Sequence, residues 1–525
     1  DINLDKIPLK YEGLSGTDVA ISESQERMAV CIHPDEGDAF TDLAEAENLL
    51  AVPVAKVTQS GRLVLRWRDQ KIVDVSREFL DTHGVSPSVA ISLHRDSFSQ
   101  VPDQPQPDPW DPDSWMQLLR HLPTASQQGL IERFDSTIGA GSVLHPLGGK
   151  FQKTPTEAMA ALIPDLDQDT ATASLMSWGF DPDQSQANPF HGARLAVLHS
   201  ITRLVATGAD PAKIRLTFQE YFERLGEDPT RWAKPFAALL GALEAQLELE
   251  APAIGGKDSM SGTFNHLDVP PTLISFAVSS CPAERVVSPE IKKVGHRLTW
   301  VRPYPPSAEE WNWESQRALL KSVAEWIAEG FVQSASAPGK GGAAGALVKM
   351  ALGNRIGIQI EDTVEIKGLF ADGYGSLILE SAQSLPSTDS FWVQELGLTQ
   401  EVPHLIVAGQ SLALAKLQTA WEETLEPVFP RRTPHLEGPL QSFSWEGKGP
   451  HLKTDSKVDK PEIVIPAFPG TNCEWDSARA FRKAGARTQV SVFRNRTPEA
   501  TRASITTLVK ALKSAQILML PGGFS

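Results

Sequence analysis

The chain has 525 residues, 41% of them hydrophobic and 22% charged, with a formal net charge of −16. That length suits about three or four domains, and the acidic balance argues against a nucleic-acid partner, which needs a basic face. No apolar run approaches the roughly 18 residues of a membrane span, so a soluble protein with no membrane partner is expected. Small phosphorylated substrates stay open, because local backbone amides can hold them whatever the overall charge. Three cysteines, Cys31, Cys281 and Cys473, are too few and too scattered for a disulfide framework or a structural zinc site. A reducing, cytoplasmic setting fits them.

In chain order, the first chemical cluster is Glu23-Ser24-Gln25-Glu26-Arg27, five polar residues directly before an apolar stretch, 29–32, that the pattern assigns to a strand. Carboxylate, hydroxyl, amide and guanidinium groups in one turn can grip a sugar or an amide through oriented hydrogen bonds. Spacing alone leaves a solvated turn equally open. Residues 101–113 hold five prolines, Pro102, Pro105, Pro107, Pro109 and Pro112, and suggest an extended spacer. A helix is expected over 190–206, closed by Gly208 in a left-handed cap. In the next, Trp232, Phe236, Leu239, Leu240, Leu243 and Leu247 recur at helical spacing, which assigns that stripe to the core.

The string Gly255-Gly256-Lys257-Asp258-Ser259-Met260-Ser261 follows. A glycine pair lets backbone amides approach an anion, Lys257 adds a point charge, and Ser259 or Ser261 can donate a hydrogen bond. It lacks the Walker spacing, and a structural tight turn is the alternative. Gly339-Lys340-Gly341-Gly342 opens a helix over 343–352, an anion site in principle or a simple joint. A turn, strand, helix and returning strand around 369–379 echoes the order around 21–32, as two copies of one α+β subdomain would.

A second proline-interrupted linker, 425–461, leads into a tail with an apolar strand (Ile463, Val464, Ile465), a Pro469-Gly470-Thr471-Asn472 turn, a helix to Gly485, a strand over 490–493, a helix, and a third strand over 517–520 opening on Pro521-Gly522-Gly523. Sheets of this kind put their chemistry in loops beyond the carboxyl ends of the strands. The third such loop begins where the chain stops, and residue 1 is Asp with no leader before it, so an internal fragment is expected. Cys473 could be taken for a nucleophile; the plainer reading is a small, half-buried residue at a helix start.

Taken together, the strings "KYEGLSGTDVAISESQERM", "HPLGGK", "NPFHGARLAV", "KIRLTFQEYFERLG", "GGKDSMSG", "GKGGAAGALVKMALGN", "FPGTNCEWDSARAFRKAGA" and "LMLPGGFS" resemble the long, single-chain form of the phosphoribosylformylglycinamidine synthase family, in the family's order. The resemblance implies an α+β fold of aminoimidazole-ribonucleotide-synthetase-like (PurM-like) subdomains, followed by the truncated start of an α/β flavodoxin-like class I glutamine amidotransferase. Residues 1–100 would be the C-terminal subdomain of a first synthetase half, 101–135 a linker with helices, 136–285 and 286–425 the two subdomains of a second half, 426–460 a linker, and 461–525 the amidotransferase start.

It also implies a ligase, with ATP and Mg²⁺ as cofactors, that phosphorylates the formyl amide oxygen of formylglycinamide ribonucleotide and displaces that phosphate with ammonia from glutamine. Carried over residue by residue, Glu23, Ser24, Gln25 and Ser259 match substrate-binding positions, Gly256 and Lys257 stand with the nucleotide, and Gly522 and Gly523 match a loop whose backbone amides stabilise an oxyanion. No metal ligand is assigned, since Lys257 stands where shorter relatives carry a metal-binding Asn. The amidotransferase Cys, His and Glu and the synthetase His would lie outside this stretch, which alone is expected to be inactive.

The chain departs from the family pattern at an auxiliary nucleotide site. There the positions expected to carry Glu and Asn are His199 and Arg203, and an expected Asp is replaced within Ala337-Pro338-Gly339-Lys340. Hard cations want oxygen ligands, so the site is expected to be empty, or Arg203 and Lys340 to supply the charge a metal would have brought. His199 is expected to be a satisfied helix histidine. Two rivals remain: a non-catalytic, degenerate half supporting an active partner, and another ATP-using enzyme of the same superfamily, which would leave the amidotransferase strings unexplained.

Overall fold

A computed structural model describes residues 1–23, 27–82, 88–93, 111–137, 141–165, 168, 170–305, 311–364, 366–432, 441–444, 447, 449 and 458–524. The chain divides into two compact units, Asp1–Ser88 with Ser442–Ser525, and Val89–Gln441.

In the first unit, Arg62–Trp67 is the middle strand of a small sheet, parallel to Ile2–Asn3 and antiparallel to Gln70–Ser76. A capping box between Ser15 and Asp18 starts the helix Gly16–Ile21, and Gly16 lies directly against the Trp67 ring. The strand expected over 29–32 does not form: these residues are exposed and pair with no strand among the described residues. An apolar run becomes a strand only where a neighbour takes up its backbone groups, so the echo with Leu377–Ser381, which is a strand, fails at that element.

The tail of this unit follows the sequence reading closely. Glu462–Ala467 lies between Arg487–Val492 and Ile517–Leu518, all parallel, with the helices Glu474–Lys483 and Pro498–Ser514 as crossovers. Ile463, Ile465 and Ala478 form its core. Cys473 is exposed rather than half-buried, and it is the N-cap of the first helix at a φ of +62°.

Among its described residues the second unit holds two large sheets and two short two-stranded ones. A five-stranded sheet runs in the order Met159–Leu162, Thr172–Gly179, Thr272–Pro282, Arg215–Tyr221, Ala253–Lys257. A seven-stranded sheet runs Val332–Ser336, Leu377–Ser381, Arg297–Arg302, Trp392–Gln400, Gly357–Ile360, His404–Val407, Gln410–Ala413. The helix Pro189–Ala206 shares a core with the first sheet and with the helix Trp313–Ala328; the helix Gly342–Leu352 shares another with Trp115, Leu119 and Trp421. Pro112 and Asp113, expected in a linker, instead begin the helix Pro112–Arg120 under an Asp111 cap; the rest of that expected linker, 101–110, lies outside the described residues.

One helix is turned over relative to its sequence reading. Pro229–Glu248 forms as expected, but its buried face is Ala233, Pro235, Ala237, Ala238, Gly241, Ala242 and Ala245. Phe236, Leu239, Leu243 and Leu247 are 40–68% exposed. The reason is closeness: at Gly241 an added Cβ would stand 2.0 Å from the Phe190 carbonyl oxygen. Only small residues allow two backbones to approach so tightly, and Phe236, Leu239, Leu243 and Leu247 are left outside while Trp232 packs partly against the core.

Candidate functional site

The glycine pair falls on the edge strand Ala253–Lys257, exposed throughout and parallel to Arg215–Tyr221. Gly256 is there for contact, since a Cβ would meet the Phe218 carbonyl at 2.7 Å. Beyond the strand the loop stays stitched to its neighbour: Ser259 N–H donates to Glu220 O at 3.2 Å and Phe222 N–H to Ser259 O at 2.9 Å. Lys257 Nζ reaches back to Asp258 O at 2.9 Å, and the Ser259 and Ser261 hydroxyls are 2.9 Å apart. Gly256 and Lys257 at the exposed end of the strand and half-buried Ser259 in the loop beyond are thus gathered within four residues, where Lys257 offers an anion a cation.

Glu220 lies beneath this loop and carried no sequence signal. Only 7% exposed, it has Oε1 buried without a hydrogen-bond partner among the described residues. Burial, and then the charge of Asp258, push its carboxyl up to about 7 from an ordinary 4.5. A raised carboxyl favours folding fully below pH 4.5 and loses that contribution as pH climbs through about 7. Glu220→Gln is therefore expected to equal the parent in stability near pH 4 and to exceed it above pH 7, by about 1–3 kcal/mol. Denaturant midpoints between pH 4 and 9 measure this; parallel curves for the two proteins would remove the argument.

The second feature is a cleft of about 200 Å³ between elements of the larger unit, lined by Glu157, Trp178, Asp181, His199, Arg203, Lys340, Lys349 and Tyr374 among others. His199 and Arg203, one helical turn apart on Pro189–Ala206, meet here with the Gly339–Gly342 turn, as the sequence comparison of His199, Arg203 and Lys340 anticipates. Glu157 was not anticipated and is central. Its Oε2 accepts from Arg203 Nε at 3.1 Å, and its Oε1 from Ser336 Oγ at 2.6 Å and Ala337 N at 3.1 Å. Arg203 also donates to Trp178 O at 2.9 Å and lies over the Trp178 ring.

Lys340 is surrounded by acid, with Nζ 3.3 Å from Asp372, 3.4 Å from Asp183 and 3.9 Å from Asp181. Burial works against its charge, but Asp372, Asp181 and Asp183 outweigh that and hold its pKa above the ordinary value. Asp181 Oδ2 also accepts from Tyr374 OH at 2.5 Å, while Oδ1 caps the helix Pro182–Ala187. His199 is not the satisfied helix residue expected: Nδ1 is buried without a hydrogen-bond partner among the described residues. Burial first, then Arg203 and Lys349, lower its pKa to about 3, so the ring is neutral. Lys349, the one charge on an otherwise small and apolar helix, is lowered to about 8 by burial. That isolation is the signal a sequence reader could have used.

The other sequence-derived candidates lie in the smaller unit. Glu23 is exposed; Ser24 and Gln25 lie outside the described residues. Gly522 and Gly523 meet the 469–472 turn beyond the carboxyl ends of the parallel strands: Asn472 N–H donates to Gly522 O at 2.9 Å, and Thr471 bridges to Gly523.

Residues 1–68 match the model of the AIR synthase related protein, C-terminal domain, and residues 460–525 that of the CobB/CobQ-like glutamine amidotransferase domain. Among curated proteins, the chain is 25% identical over 458 residues to the phosphoribosylformylglycinamidine synthase subunit PurL of Wolinella succinogenes, covering 82% of this chain and 59% of that one. The PurL subunit of Leuconostoc mesenteroides is 29% identical over 262 residues, 49% of this chain and 33% of its own. The chain is thus similar in sequence to phosphoribosylformylglycinamidine synthase subunits. It spans between a third and three fifths of the length of these two synthases. Thermotoga maritima PurL complexed with ATP shares the synthase fold with it at a TM-score of 0.53 and 18% identity, over 76% of this chain and 59% of that one. The same protein complexed with FGAR gives 0.54 and 17%, over 76% and 57%. The fold class expected from sequence holds: synthetase-type α+β subdomains with an α/β amidotransferase region at the end.

Proposed function

We propose that the protein to which this chain belongs is a phosphoribosylformylglycinamidine synthase, a cytoplasmic ligase that amidates formylglycinamide ribonucleotide with ATP and glutamine in purine biosynthesis. One observation carries the reading: a PurL subunit aligns with 82% of the chain, and a glutamine amidotransferase module follows on the same polypeptide. The rival reading as a non-catalytic scaffold draws no support from relatives that are named as the synthase. Among the described residues no helix is long and apolar enough to cross a membrane.

In this reading ATP phosphorylates the glycinamide carbonyl oxygen, the formyl group being retained in the formylglycinamidine product, and so turns that oxygen into a leaving group; ammonia adds to the carbon and phosphate departs. Glu23, Ser24, Gln25 and Ser259 bind the ribonucleotide, and Gly256 with Lys257 holds the nucleotide phosphates through amides and a point charge. Gly522 and Gly523 turn backbone amides toward the oxyanion formed when glutamine is opened. Mg²⁺ accompanies ATP as its counter-ion. Residues 1–100 act as the second subdomain of a first synthetase half, 136–285 and 286–425 as a second half, and 461–525 as the start of the amidotransferase.

The test is turnover by the full-length protein. ADP and glutamate are expected to form together only when formylglycinamide ribonucleotide, ATP and glutamine are all present. ATP consumption indifferent to the ribonucleotide would overturn the assignment.

A further inference from the structure

The family implies Mg²⁺, and the residues of the 200 Å³ cleft do not fit it. Mg²⁺ demands a near-octahedral set of oxygens at about 2.1 Å, yet the carboxylates of Glu157, Asp181 and Asp372 are already committed to internal donors. Both oxygens of Glu157 are taken by Arg203, Ser336 and the Ala337 amide. Asp181 holds Tyr374 OH and the start of a helix. Asp372 accepts from Lys340 Nζ at 3.3 Å, beside the glycine turn that opens the helix Gly342–Leu352. The cleft's volume also falls under the roughly 300 Å³ at which small-molecule sites begin.

We propose that Lys340 and Arg203 are the built-in cations of this cleft, seated against Asp181, Asp183, Asp372 and Glu157 in the role a divalent ion would otherwise play, so that the cleft stays assembled with neither metal nor nucleotide. This is a property of the larger unit and does not depend on which reaction the protein runs. The chemistry is simple charge replacement. An ammonium 3.3–3.9 Å from three carboxylates offsets part of their mutual repulsion without dehydrating an ion, and a guanidinium fixed on Glu157 and Trp178 balances the carboxylate on the opposite wall.

Removing the ammonium should then create what it replaces. By equilibrium dialysis of the intact protein against Mn²⁺, Lys340→Ala is expected to take one more ion per chain than the parent. Adding Asp372→Asn to Lys340→Ala should abolish that extra ion. Lys340→Ala should also melt several degrees lower without Mn²⁺ and recover when it is added, a recovery the parent does not need. Asp372→Asn alone, which keeps Lys340, is measured beside it and should bind as many ions as the parent. If that single variant releases an ion, the cleft already holds a metal and the proposal is wrong. It is equally wrong if Lys340→Ala takes up no further Mn²⁺ and melts as the parent does.

Discussion

Glu380→Ala is expected to lower the unfolding free energy by about 3–5 kcal/mol, the largest loss from any single side chain discussed here. Glu380 lies on the strand Leu377–Ser381, every residue of which is buried, and is itself 0% exposed. Four donors converge on its two oxygens: Lys292 N at 2.8 Å, Lys293 N at 3.0 Å, His296 Nδ1 at 2.8 Å and Ser334 Oγ at 2.9 Å. One carboxylate thus fixes the segment before Arg297–Arg302 and the strand Val332–Ser336 at the same point. Truncation strands these donors away from water, and it is the orphaned groups, more than the lost attraction, that set the size of the effect. Glu380→Gln keeps the shape and one acceptor, and should lose less than Glu380→Ala. Urea unfolding of the three proteins orders them; a Glu380→Ala protein within 1 kcal/mol of the parent would contradict the argument.

Gly241→Ala comes next, at about 2–3 kcal/mol, for a different reason. The added methyl would lie 2.0 Å from the Phe190 carbonyl oxygen and 2.8 Å from its carbon, both backbone atoms that cannot rotate away. The helices Pro189–Ala206 and Pro229–Glu248 would have to part. Leu243→Ser, two residues on but on the outer face, should change stability by no more than about 0.5 kcal/mol. The contrast is the measurement: thermal unfolding that punishes the leucine change and tolerates the alanine would restore the large stripe to the core.

That pair also marks where reading the sequence succeeds and fails. The helix closing at Gly208, the helix entered through Gly341 and the three strands of the tail were legible because their signals are local, in caps, glycine turns and short apolar runs. Which face of Pro229–Glu248 turns inward was not. Its alanines and its leucines repeat with the same period, and only the distance to another helix chooses between them. The strand expected over 29–32 failed similarly, since pairing is decided by a partner elsewhere in the chain.

In the candidate site the division is the same. Gly256, Lys257 and Ser259 are legible because they lie within four residues of one another. Glu157, Asp181, Lys340 and Asp372 are scattered over more than two hundred positions and become a unit only through contacts such as Ser336 to Glu157. Arg203 and Lys340 were visible as anomalies against the family pattern, but the carboxylates that hold them were not. Glu220 was silent for a further reason: its strand alternates correctly, and nothing local says that one inward position carries an acid.

The most direct measurement is amide hydrogen exchange over residues 253–262 in the full-length protein, with and without formylglycinamide ribonucleotide and a non-hydrolysable ATP analogue. Exchange there should slow markedly with both ligands bound if, as proposed, the exposed strand Ala253–Lys257 and its loop supply the amides that take the phosphate. Unchanged exchange across 253–262, in a protein that demonstrably binds both ligands, would mean that this loop is only a turn.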